Sequence, residues 1–85
     1  MLNDSRNAVV FATDTTQNLD TFMRDVHEHD TNAMKELFSD GHLIAIDNGT
    51  DARILDYNID EHAYQVRVFG SNHPVWVIEE VVSKK

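Results

Sequence analysis

From Asn18 the apolar positions recur at helical spacing. Leu19, Phe22, Met23 and Val26 stand at i, i+3, i+4 and i+7, while Asp20, Thr21, Arg24, Asp25 and Glu28 take the other side. Asn18, or Thr15 or Thr16 before it, is suited to accept from the first free amides of that helix. The wholly polar stretch His27-Glu28-His29-Asp30 should end or turn it. A shorter helical pattern follows, capped by Asp30 or Thr31, with Ala33, Met34, Leu37 and Phe38 on one face and Ser39-Asp40-Gly41 as the stop. Two helices this short are not stable alone, so the pattern predicts a helical hairpin that lays both apolar stripes on the rest of the chain.

From His42 onward the period changes to two. Leu43-Ile44-Ala45-Ile46 leads into Asp47-Asn48-Gly49-Thr50, and Asn-Gly is a strong hairpin signal because both residues tolerate positive φ. Strands are expected over 52–57, 63–69 and 75–78, with turns over 58–62 and 70–74 and a last short strand at Val81-Val82. Within 64–68, Tyr64, Val66 and Val68 face one way and Gln65 and Arg67 the other. Four or five short strands joined by tight turns suit a small barrel, whose closure removes most edge strands. The fold class expected is α+β: one domain over 1–85, with a helical hairpin over 1–41 packed on a five-stranded barrel over 42–85.

Composition narrows the chemistry. With 85 residues, one core has to serve the whole chain. No cysteine is present, which removes disulfides and thiolate metal sites. The apolar-leaning run from Ala8 to Thr13 is shorter than a signal-peptide core or a membrane span, so a soluble, cytoplasmic protein with no membrane partner is expected. Fifteen acids against seven bases give a net charge of −8, which repels phosphate backbones and favours basic partners, so direct nucleic-acid binding is not expected. Eight of the acids and three of the bases fall in residues 1–41, making that half the candidate acidic face; the plain alternative is a solubilising helix surface.

The strands carry a family resemblance. Gly49-Thr50, Ala52-Arg53-Ile54-Leu55-Asp56, Tyr64-Gln65-Val66-Arg67-Val68, and Val75-Trp76-Val77 followed by Glu80-Val81-Val82, together resemble bacterial Src-homology-3-like (SH3-like) barrels. The likeness covers residues 42–82 and implies a small barrel whose tryptophan marks one end of a ligand groove. Val75 stands where these domains usually have glycine, and residues 78–82 lack the proline and tyrosine of the polyproline-binding members. The resemblance therefore does not extend to polyproline-peptide binding.

Catalytic constellations are missing from the pattern. The serines at 5, 39, 71 and 83 lie in terminal or turn contexts, Glu79-Glu80 and Asp60-Glu61 are sequence neighbours that a strand would point to opposite faces, and the glycines at 41, 49 and 70 are isolated. No enzyme activity and no cofactor are expected. On a continued helix His27 and His29 would lie about 200° apart, and a closed zinc site needs four ligands, so no metal site is assigned. Trp76 either stands outward as an amphipathic contact or, in the favoured reading, lies under the hairpin.

The chain thus reads as a small acidic protein-binding module. The first expectation is an inhibitor or regulator of the phage or mobile-element type. Its Asp20, Asp25, Glu28 and Asp30 would block a basic surface of a partner, such as one belonging to a nucleic-acid-handling enzyme. The second is an adaptor using Tyr57, Tyr64 and Trp76 as aromatic anchors, and the third a metal- or ligand-binding regulator built on the histidines. The helical stripes also admit self-association as a homodimer.

Overall fold

Val9–Thr13, the sequence VVFAT, is a strand (β1) that periodicity does not reveal. Its residues are apolar or β-branched without alternation, as in a strand covered on both faces. In the computed structural model, which describes residues 2–3 and 9–82, β1 is followed by α1 (Thr16–Glu28), α2 (Thr31–Ser39), β2 (Leu43–Asp47), β3 (Ala52–Asn58), β4 (Ala63–Val68), β5 (Val75–Ile78) and a 3-10 turn over Glu79–Val81. Two helices pack on one five-stranded antiparallel sheet of order β2-β1-β5-β4-β3. The region expected to supply only helices therefore also supplies an interior strand, between β2 and β5.

Register assigns the faces. Val10 pairs with Ile46, Tyr64 with Val77 and Val66 with Val75; these side chains, with Ala12, Leu2 and Val81, form the main core. Phe11, Thr13, Trp76 and Ile78 have the opposite parity and lie on the helix side, where the Phe11 and Phe22 rings stack at a centroid distance of 5.4 Å. The alternation expected over 64–68 is observed, with Tyr64 and Val66 buried and Arg67 exposed.

Two expectations about the sheet fail. The Asn48-Gly49 turn forms, with Gly49 at φ 87°, but β2 and β3 do not pair across it. Leu2 occupies that place instead: its N–H donates to the Thr50 carbonyl at 3.0 Å, and the Gly49 N–H donates to the Leu2 carbonyl at 2.8 Å. The sheet is accordingly open between β2 and β3. Val81-Val82 is not a strand either; Val82 makes a single bridge to Leu2 after the 3-10 turn.

Local chemistry sets the helix ends. The Asn18 N–H donates to Thr15 Oγ1 at 3.1 Å, so Thr15 is the N-cap of α1. The polar stretch His27 to Asp30 is a tight helix-to-helix junction. His29 adopts the left-handed conformation at φ 57°, its N–H donates to the Val26 carbonyl at 3.2 Å, and the Asp30 N–H reaches back to the Asp25 carbonyl at 2.9 Å. This is a Schellman closure with histidine where glycine is favoured. Asp30 then caps α2 by accepting from the Ala33 N–H at 3.1 Å.

A polar clasp ties the start of α1 to the head of β2. His42 Nδ1 lies 2.8 Å from Asp14 Oδ2, and Asn18 Nδ2 donates to Asp14 Oδ1 at 2.6 Å. For Asp14, partial desolvation pushes the pKa upward, but the Asn18 hydrogen bond and the His42 hydrogen bond and charge outweigh it and leave the carboxyl below its ordinary value. The hydrogen bond to Asp14, and then its charge, raise His42 above its ordinary value.

Two outcomes are expected. His29→Gly relieves the left-handed strain and raises unfolding free energy in urea by about 1 kcal/mol. A raised His42 pKa stabilises the fold fully below the unfolded value of 6.5, and this increment fades as pH rises through the folded-state value. The lowered Asp14 pKa sets the acid edge, with stability lost as pH falls below 3.8. Urea titrations should therefore show the gap between wild type and His42→Gln largest at about pH 5–6 and smaller by about pH 8.

Candidate functional site

The apolar stripes of the two helices are wider than the strip of sheet beneath them. Leu19 and Phe22 of α1 are buried against the sheet, while Met23 and Val26 on the same helix stay partly exposed. α2 has no buried residue, and its Phe38 is 54% exposed. Together with Phe11 of β1, Leu43 of β2 and Ile78 of β5, these side chains line an apolar groove of about 520 Å³ between the hairpin and the sheet. Among the described residues, Lys35 is the one charged residue in its lining. Such a volume is typical of ligand sites, and methionine side chains can remould their shape around an occupant.

The acids expected to form a contact face are largely committed to local structure. Asp20 lies 3.5 Å from Arg24 in an i, i+4 pair. Asp30 is the α2 cap, and Glu28 is exposed at the end of α1. Asp25 corrects the expected acidic face: it is only 7% exposed and its Oδ2 has no hydrogen-bond partner among the described residues, so it is not presented to a partner. Helical spacing put it on the polar side of α1, but the packed hairpin covers more of the helix circumference than the apolar stripe alone defines.

The aromatic anchors are also divided. Tyr57 and Tyr64 face each other across β3 and β4, with rings 4.7 Å apart and tilted by 47°; Tyr64 is buried on the core side and Tyr57 is exposed at the edge. Trp76 lies on the opposite face, half-buried, between Thr13 and Gln65 in the ladder. The valines on either side of it fill the core, so it stands on the helix side without lining the groove. The three residues do not share one surface.

Among the described residues, no group of three or more histidines and carboxylates is placed to hold a metal ion. Glu79 instead gathers two weak contacts, with Tyr57 Oη donating to Oε2 at 3.4 Å and His62 Nδ1 lying 3.7 Å from the same oxygen. No helix among the described residues is long and apolar enough to cross a membrane. Comparison of the chain with protein-family models, with characterised proteins and with solved structures gives no match.

The helix half of the groove was legible, since the stripes at 19, 22, 23 and 26 and at 34 and 38 announce a surface that needs covering. Phe11, Leu43 and Ile78 were not, because their contribution depends on β1 lying between β2 and β5.

Asp25→Asn tests the buried carboxylate. Removing a charge whose buried oxygen has no partner should leave the fold intact and raise its urea stability by about 1 kcal/mol at neutral pH. A loss of stability of that size would show that the carboxylate is satisfied.

Proposed function

We propose that this chain is a small acidic, non-catalytic protein-binding module that seats an apolar-faced, basic segment of a partner in the groove between its helical hairpin and its sheet. The observation that supports this reading is the groove itself: Met23, Val26 and Phe38 remain exposed on a hairpin of whose apolar residues only Leu19 and Phe22 are buried. An amphipathic helix entering such a groove buries its own stripe against these side chains. The net charge of −8 favours cationic partners and speeds their approach, with Glu28 as the helix acid best presented for contact. In this reading the protein acts in the cytoplasm as an inhibitor or regulator of the phage type. It denies the partner's basic surface to that surface's usual ligand, as it would if the partner handles nucleic acid. The SH3-like assignment of residues 42–82 belongs to the same proposal and rests on the residue resemblance.

A second reading is an adaptor that works from the β3 edge. Ile54, Leu55 and Ile59 are exposed beside Tyr57, and the ladder shifts register between Ile54 and Asp56. A bulge there bends the edge and offers apolar side chains to a partner.

The test is capture from cell lysate at low and high salt, with wild type, Val26→Glu, Phe38→Glu, Glu28→Lys and Tyr57→Ser compared after circular dichroism confirms folding. Occupancy of the groove predicts at least tenfold less of the captured protein with either groove variant, a smaller loss with Glu28→Lys, and weaker capture at high salt. Capture that survives both groove variants but fails with Tyr57→Ser would replace this reading with the β3 edge.

A further inference from the structure

Arg53 and Arg67 stand directly opposite each other in the β3–β4 ladder. Opposed residues in an antiparallel pair hold their Cβ atoms roughly 5 Å apart on one face, and like charges placed there repel. In a chain with twice as many acids as bases, such a pair would be expected to find carboxylates. Yet neither guanidinium has an ion-pair or hydrogen-bond partner among the described residues.

Both arginines line an open cavity of about 630 Å³ with Asp51, Phe69, Gly70, Ser71 and Asn72. The backbone holds this rim in place: the Phe69 N–H donates to the Asp51 carbonyl at 3.0 Å, and the Ser71 N–H to the Val68 carbonyl at 2.9 Å. Phe69 is 87% exposed, a large ring presented beside two cations with almost no cover.

We infer that this cavity is a binding site for a nucleoside monophosphate. Two planar guanidinium forks on one face match the oxygens of a phosphate, and the dianion cancels the repulsion between them. The Phe69 face offers a stacking platform for the base. Asp51 supplies acceptors suited to ribose hydroxyls, and Ser71 and Asn72 supply donors and acceptors for the base edge. The net charge of −8 opposes a polyanion far more than a single nucleotide, so the ligand is a mononucleotide and not a nucleic-acid strand. The site lies on the half of the sheet away from the hairpin and stands independently of the groove.

The experiment is an amide NMR titration of the full chain at low ionic strength with adenosine 5′-monophosphate, ribose 5-phosphate, adenosine and a short single-stranded oligonucleotide. Saturable shifts are expected for the monophosphate at residues 51–53 and 67–72. Arg53→Gln and Arg67→Gln should each weaken binding by about tenfold or more, and Phe69→Ser should reduce the monophosphate to the affinity of ribose 5-phosphate. Each arginine variant, relieved of a like-charge neighbour, should melt no lower than wild type without ligand, which separates lost binding from lost fold. The inference is overturned by the absence of saturable shifts, by affinity unchanged in both arginine variants, or by adenosine or ribose 5-phosphate binding as tightly as the monophosphate. Tighter binding of the oligonucleotide overturns the restriction to a mononucleotide.

Discussion

The architecture depends on where Val9–Thr13 lies. β1 pairs with β2 along its whole length and meets β5 at Thr13, so it joins β2 to the β3–β4–β5 meander. Without it β2 would have no partner and β5 one open edge, and neither half would bury enough apolar surface to hold together. The two faces of β1 serve different layers. Val10 and Ala12 enter the main core, while Phe11 receives Phe22 and anchors α1. Both helices are too short to persist alone and depend on that platform.

The same arrangement leaves the hairpin incompletely covered. A helix presents a stripe of ordinary width, but the sheet beneath these helices contributes few side chains, chiefly Phe11, Leu43 and Ile78. What remains is the groove edged by Met23, Val26 and Phe38, where apolar side chains and not paired charges make up the exposed surface. Of the acids expected to form a contact face, Asp30 is a helix cap, Asp20 an intrahelical pair and Asp25 a buried residue, while Glu28 is exposed. The net charge of −8 still sets the sign of the long-range field, which depends on the sum and not on which carboxylates are locally engaged. On the far half of the sheet the balance reverses locally, where Arg53 and Arg67 face each other and neither forms an ion pair among the described residues.

Elements whose signal is local were legible in the sequence. Helical spacing located α1 and α2, with the start of α1 left open between Thr15 and Asn18, and the polar junction at 27–30 ended one helix and capped the next because both events are governed by neighbouring amides. Alternation located β3, β4 and β5, and each glycine marked a turn at positive φ. The Asn48-Gly49 signal found its turn but not the pairing, since a turn brings two strands near each other without obliging them to bond. Leu2 reaches that site from the other end of the chain and takes the hydrogen bonds. Within the candidate sites, helix stripes could be read, but the union of Arg53 with Arg67 and the separation of Trp76 from the two tyrosines could not.

The sequence by itself determined the α+β class, the approximate helix spans, the turns and the inward parity of β4, because these follow from contacts between residues a few positions apart. Only the tertiary structure decided that β1 lies between β2 and β5, that the sheet stays open between β2 and β3, and which side chains meet across the groove and the arginine pair. Those outcomes turn on which strands become neighbours. That choice is settled by burying both faces of a strand with no period of its own and by satisfying backbone groups with partners distant in the chain.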